Sequence, residues 1–448
     1  MNILGFKKFI RVVILLFSYT VLISGIILGL IVVTGGFAGL SIILDMFLPQ
    51  FTLVAFIYII VMVLVVRLKW GQRGQKKWLV FTLFLGLIAF GLNIVPLFGV
   101  QGAIGSAESQ FNATYGTNWN ELIPNELEAK FRAAPFDMGE YINGIHSSSC
   151  NVSYDIEYAF VNGNDSLRFD VYLPLTGIGP FPTIITIHGG GWTSGNKGTS
   201  NLAYVNRYLA SQGYAVFDII YGLAKPSLAG AEAIGIDKLT GSGSVNYNNS
   251  YTIPQMVKNI GTFTHYLAAH AQEYKVNLSQ VFVLGRSAGA HLAGCVVLGF
   301  DDSPYSSVFN HSITIRGGIL YYPPCNMTAM FYNSLQIAAP YRSFIDVQEM
   351  FDYLMESNAT NYGTYSPRSY MKANSPPLLI FHGSNDKLVP TDESRDLKAA
   401  LESVGNTDCI LIEMPFMGHA FDMIPGNPYS QITYYYLERF LALTLITT

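Results

Sequence analysis

The sequence predicts an α/β fold, a mostly parallel sheet with helices on both faces, preceded by an all-α transmembrane region. Three observations lead there. The first hundred of the 448 residues are a near-continuous apolar tract, whereas the remainder has the composition of ordinary globular sequence. From Tyr154 onward, short apolar strand-like runs alternate with helical stretches, as in a parallel sheet whose connections cross over as helices. One of those runs, residues 281–284, leads through Gly285-Arg286-Ser287-Ala288-Gly289 into a helix of small residues. A serine at such a strand–turn–helix junction needs small neighbours, because the turn forces an unusual backbone angle on it.

The membrane region follows from composition. Charged residues are only 12% of the chain, against about a quarter in soluble proteins. Residues 12–33, 51–66 and 78–98 are each apolar over a length suited to crossing a bilayer. The first is too long for the apolar core of a signal peptide, and two more follow it, so it reads as a retained span. Lys7, Lys8 and Arg11 precede the first span, and Arg67, Lys69, Arg73, Lys76 and Lys77 lie between the second and third. The connection between the first two carries only Asp45, and after the third no basic residue occurs before Lys130. Basic residues stay cytoplasmic, which puts the N-terminus inside and the chain beyond the third span on the extracellular or lumenal side. The second span abuts Asp45 and Pro49, and a re-entrant course there would reverse that parity.

Glycosylation acceptors begin at Asn112, Asn151, Asn164, Asn248, Asn277, Asn310, Asn326 and Asn358, all beyond the third span, so N-glycans are expected. All four cysteines lie on the same side, where a disulfide is permitted. Cys150 and Cys325, in polar loop-like surroundings, are the expected pair; Cys295 and Cys409, in apolar runs, are expected to be buried thiols. The division is therefore residues 1–100 as membrane region, 101–150 as a linker with a short helix near 125–132, and 151–448 as catalytic domain. A net charge of −4 gives no support for a nucleic-acid partner.

Within the catalytic domain, residues 156–161 and 167–172 flank a turn at Asn162-Gly163-Asn164-Asp165 and read as a β-hairpin. A buried strand at 183–187, a helix at 201–212 and a strand at 215–220 follow. A helix near 253–274 leads into strand 281–284. Further strands are expected at 318–321, 377–381 and 409–414, and further helices at 393–404 and 431–443. Chemistry in such sheets gathers at the carboxyl ends of the strands.

Four motifs fall there. Ser287 is the candidate nucleophile. After strand 183–187 comes His188-Gly189-Gly190-Gly191-Trp192, whose bare backbone suits a loop that aims N–H groups at a developing oxyanion. It has neither a Walker lysine nor GxGxxG spacing, which argues against a phosphate loop. After strand 377–381, His382-Gly383-Ser384-Asn385-Asp386 offers Asp386 as the carboxylate that orients a histidine. After strand 409–414, Gly418-His419 offers His419 as the general base. His188, His291 and His382 flank motifs and are expected to hold loops by hydrogen bonds.

With these motifs, in the order Ser287, Asp386, His419, the chain from about residue 155 onward resembles the α/β-hydrolase superfamily, in its esterase/lipase branch with a His-Gly-Gly-Gly motif. That branch includes carboxylesterases, feruloyl-esterase-like enzymes and membrane-bound prenylcysteine methylesterases. The resemblance implies Ser287 as nucleophile, Asp386 as acid, His419 as base, and Gly189, Gly190 and Ala288 as oxyanion donors. It also implies a carboxylic ester as substrate, small-molecule or lipid, with neither cofactor nor metal. A peptidase or amidase, an acyltransferase, and a non-catalytic binding protein are the alternatives on the same scaffold. Two departures stand out: Arg286 precedes the nucleophile where such esterases often carry an acidic or amide residue, and residues 223–252 are Gly/Ser/Asn-rich and longer than the usual connection, as a lid or a disordered insertion would be. Trp192 and the stretch 331–353 are expected to line the site.

Overall fold

The computed structural model describes residues 3–36, 40–70, 74–146, 148–163, 165–198, 200–224, 250–338 and 347–447. The insertion at 223–252 falls almost wholly outside these residues, as do the acceptors Asn164 and Asn248.

The apolar N-terminal tract folds as helices because its backbone groups have no other partners in an apolar setting. Helix α1 spans Ile3–Thr34, α2 Leu40–Phe47, α3 Phe56–Lys69 and α4 Lys76–Tyr115. A 3-10 segment, Leu48–Ala55, joins α2 to α3, with Pro49 in its first turn and a non-helical Phe51 (φ −111°, ψ 44°). Three runs among the described residues are long and apolar enough to cross a membrane: Gly5–Thr34, Ile43–Lys69 and Lys76–Tyr115. The second is the one broken at Phe51, so the stretch around Asp45 and Pro49 is not one straight span.

Eight strands form a single sheet in the order β1-β2-β4-β3-β5-β6-β7-β8. The hairpin β1 (Asn151–Val161) and β2 (Asp165–Leu173) is antiparallel, and β2 pairs antiparallel with β4 (Ala215–Ile219). From β4 through β3 (Phe181–Ile187), β5 (Val276–Arg286), β6 (Ile315–Tyr321), β7 (Leu378–Gly383) and β8 (Cys409–Met414), every pairing is parallel. Strand alternation sends successive side chains to opposite faces. Ile185, Ile187, Val281 and Val283 enter one core, with the helices Ile253–Ala269 and Ala288–Gly299. Ile184, Phe282 and Leu284 enter the other, with the helices Ser200–Gln212 and Pro428–Thr447.

Helix α4 continues to Tyr115, and Val100, Ala103, Ala107 and Phe111 are buried in the second core with Trp119 and Tyr436. Hydrophobic spacing along 97–111 is hidden in the sequence by the apolar tract that precedes it. One expectation is corrected: Cys150 and Cys325 do not pair, since all four cysteines are free thiols. Cys325 is buried in the first core, whereas Cys150 packs against the second, on the other face of the sheet. No disulfide spans that separation.

Candidate active site

Strand β5 ends at Arg286 and the next helix begins at Ala288, which leaves Ser287 alone at the turn, with φ 52° and ψ −122°. A non-glycine residue in that region is strained, and it persists because the surroundings fix it. Ser287 N–H donates to the Tyr321 carbonyl at 3.0 Å, and the Ser287 carbonyl accepts from His291 N–H at 2.9 Å. The flanking glycines are there for close approach. A Cβ on Gly285 would run into the Gly289 carbonyl, and one on Gly289 into the carbonyls of Ile187 and His188. Gly289→Ala is accordingly expected to lower stability by about 1–3 kcal/mol through backbone displacement; an unchanged urea midpoint would refute this.

The three carboxyl-end loops converge on Ser287. Its hydroxyl donates to His419 Nε2 at 2.9 Å, and His419 Nδ1–H donates to Asp386 Oδ2 at 2.6 Å. Asp386 is fully buried among donors: Oδ1 accepts from the N–H groups of Leu388 (2.9 Å) and Val389 (2.8 Å). Burial alone would raise its pKa, but the neighbouring His419 and the hydrogen bonds from His382 and His419 outweigh it and bring it to about 2. Asp386 is therefore a carboxylate throughout the physiological range, which fixes the proton of His419 on Nδ1 and leaves Nε2 free to accept from the serine.

The other histidines have the expected holding roles. His382 lies behind Asp386, donating from Nε2 to Val389 O (2.9 Å) while Nδ1 accepts from Ser394 Oγ (2.7 Å). His188 stacks on Tyr221 at 4.5 Å and donates to its neighbour Gly189 O at 2.8 Å. His291 accepts from Trp192 Nε1 at 3.2 Å and donates to Tyr365 O at 2.6 Å. Burial pulls His188 and His291 each down to about 4, so both stay neutral near neutral pH.

The glycine loop after β3 wraps against Ser287. A Cβ on Gly189 would lie 3.3 Å from Ser287 Cβ, and Gly190 (φ 124°) and Gly191 (φ 59°) take backbone angles that favour glycine. The Gly190 carbonyl turns away and accepts from Ser194 N–H at 2.9 Å. Ala288, the first residue of its helix, is buried beside the same point. Trp192 packs against Phe351 (6.3 Å) and Phe351 against Phe331 (5.4 Å), which brings part of the 331–353 stretch to the glycine loop; residues 339–346 lie outside the described ones.

The sequence did not single out Asp422. The unusual Arg286 is buried behind Ser287, where Nε donates to Asp422 Oδ2 at 2.6 Å and the guanidinium lies over the Tyr321 ring at 4.3 Å. Burial opposes the charge of Arg286, but Asp422, Tyr321 and Tyr322 raise its pKa above the ordinary value. Asp422 Oδ1 also accepts from Tyr322 OH at 2.7 Å, and the Tyr322 ring rests 4.5 Å from that of His419. The signal was present: a buried arginine needs a counterion, and a carboxylate follows His419 by three positions. No cluster of three or more His, Cys, Asp or Glu residues suited to a metal occurs among the described residues.

Comparison with known proteins agrees with this architecture. Esterase B from Lactobacillus rhamnosis has the same fold, at 20% identity and a TM-score of 0.53 over 68% of this chain and 92% of that one. A probable carboxylic ester hydrolase, LipM of Mycobacterium tuberculosis, is 26% identical over 65% of this chain and 60% of its own length. A probable isoprenylcysteine alpha-carbonyl methylesterase of Arabidopsis thaliana, ICMEL1, is 25% identical over 53% of this chain and 45% of its own. The chain thus spans about half to three fifths of these curated relatives. The BD-FAE family profile matches residues 169–237 and 243–401, a stretch that holds the glycine loop, Ser287 and Asp386. With the α/β-hydrolase sheet beneath those residues, the chain belongs to the BD-FAE family.

Proposed function

We propose that this chain is a membrane-anchored serine hydrolase that cleaves carboxylic esters through an acyl-enzyme. The observation that carries the reading is the hydrogen-bonded relay Ser287–His419–Asp386 at the carboxyl ends of three parallel strands. His419 Nε2 takes the serine proton as Oγ adds to the ester carbonyl. Asp386 stabilises the imidazolium so formed and holds its orientation. The carbonyl oxygen becomes an anion, and the N–H groups of Ala288, Gly189 and Gly190 are the proposed donors to it. The imidazolium then protonates the departing alcohol, and water activated by the same histidine releases the acid. The names of the relatives, ester hydrolase and methylesterase, support this reading. It is tested by labelling the full-length protein with a fluorophosphonate probe and by turnover of p-nitrophenyl esters of increasing acyl length. Failure of both would end it.

For the membrane region the reading is three spans, a cytoplasmic N-terminus and a catalytic domain on the extracellular or lumenal side. Lys69 supports it, lying over the rings of Tyr19 (5.0 Å) and Trp78 (4.8 Å) near the exposed Trp70, an aromatic and basic belt at the end remote from the hydrolase sheet. Acceptors Asn112, Asn151 and Asn358 are exposed. Expressed in a glycosylating host, the protein should lose apparent mass on treatment with an N-glycosidase, and the loss should shrink with each Asn→Gln change at these positions. A protein unaffected by the enzyme, with its hydrolase domain degraded by protease from the cytosolic side, would reverse the assignment.

A further inference from the structure

The loops that carry His419 and Asp386 are held from outside the sheet, by the N-terminal helical region. Gln50, in the 3-10 segment between α2 and α3, is almost completely buried (1% exposed) although it stands in an apolar tract. Its side chain is satisfied by the histidine loop and by Met46 O of α2, which accepts from Nε2 at 2.5 Å. Nε2 donates to Ala420 O at 3.1 Å, and Oε1 accepts from Ile424 N–H at 3.0 Å and Asn427 Nδ2 at 3.1 Å. Ala420 follows His419 directly and has φ 54°; Phe416, on the other side, has φ 64°. Two non-glycine residues in the left-handed region bracket the histidine, and such a conformation lasts only where neighbours over-determine it.

Three more contacts converge on the same loops. Asn385, next to Asp386, donates from Nδ2 to the carbonyls of Val32 (3.1 Å) and Val33 (3.2 Å) in the last turn of α1. The last carbonyls of a helix lack intrahelical partners, and the asparagine serves two of them here. Asn385 N–H in turn donates to Met417 O at 2.9 Å, which ties the acid loop to the base loop. Asp45 of α2, buried, lies so close to Gly418 that a Cβ there would run into its carboxylate. Gly99 of α4 is in similar contact with Pro415, Phe416 and the hydroxyl of Tyr429.

We propose that Gln50 and Asn385 are positioning residues for the reaction, so that the membrane region is part of the active site and not only its anchor. Neither touches the reacting atoms. Gln50 fixes the backbone on which His419 is mounted, and Asn385 fixes the loop of Asp386 to the end of α1. The effect sought is on alignment, because a small displacement of a general base from the line of proton transfer costs about 10²-fold in rate. This inference rests on the serine-hydrolase reading above.

The test uses the full-length protein in lipid nanodiscs, with active sites counted by fluorophosphonate titration and turnover of p-nitrophenyl butyrate read per titrated site. Gln50→Ala and Asn385→Ala are each expected to lower kcat about tenfold or more with KM within about threefold, and Gln50→Glu, which keeps the acceptor for Ile424 and Asn427, to recover part of the loss. Tyr19→Phe is the control. It removes a hydroxyl that joins α1 to Thr82 of α4 (2.7 Å), in the part of the helical region remote from the catalytic loops, and should leave kcat unchanged. If kcat per site is unaltered in both alanine variants, or falls equally in Tyr19→Phe, the positioning role is overturned while the hydrolase reading stands. If wild type neither titrates nor turns over the ester, both fall together.

Discussion

Ser287→Ala is expected to lower turnover of a p-nitrophenyl ester by roughly 10⁵–10⁶-fold and to abolish fluorophosphonate labelling. The size of the effect follows from the relay. Without Oγ there is no acyl-enzyme, and His419 and Asp386 have nothing to act on, so losing the serine alone is expected to cost nearly as much as losing all three. The change should leave the fold alone, because the φ of 52° at this position is no harder for alanine than for serine and the serine side chain makes no cap for the following helix. Matching urea midpoints for the variant and wild type would establish that the loss is chemical. Hydrolysis within tenfold of wild type would remove Ser287 from the reaction.

The second large effect concerns stability. Asp422→Ala leaves the Arg286 guanidinium buried without its counterion, and breaking a buried pair from one side costs about 3–5 kcal/mol. Discounting is small here, since both side chains are almost completely shielded from water. The substitution also removes the acceptor of Tyr322 OH, and Tyr322 packs on His419, so activity per folded molecule should fall as well. The double variant Arg286→Met with Asp422→Leu discriminates between explanations. If the cost is an uncompensated charge, removing both partners should recover most of the stability, whereas loss of packing alone would leave the double variant at least as unstable. A urea midpoint for Asp422→Ala equal to that of wild type would contradict the ion-pair argument.

Much of the site was legible because its parts are local. Each of Ser287, Asp386 and His419 follows directly on a short apolar strand, and a parallel sheet brings successive carboxyl ends to one edge, so strand order alone assembles them. The hairpin β1–β2 and the strand Cys409–Met414 were legible for the same reason, from alternation and from continuous burial. What escaped was non-local. Gln50 meets Ala420 across 370 positions, and nothing near it in sequence distinguishes it from a polar residue tolerated in an apolar tract. Asp422 has meaning only opposite Arg286, 136 positions away. The expected Cys150–Cys325 pair failed because polar surroundings in sequence do not report which face of a sheet a residue serves.

Helix α4 carries one more implication. Its 40 residues run from an exposed apolar half into a half sunk in the hydrolase core, a length of about 60 Å at the α-helical rise. A catalytic domain on a flexible leash samples a volume and tumbles within it. On the membrane-anchored reading proposed above, one mounted on a single helix whose first half crosses the bilayer would keep a fixed height and a fixed tilt. Its encounters would then be confined to a layer parallel to the membrane, and the number of substrate molecules it meets would follow their density in that layer instead of their bulk concentration.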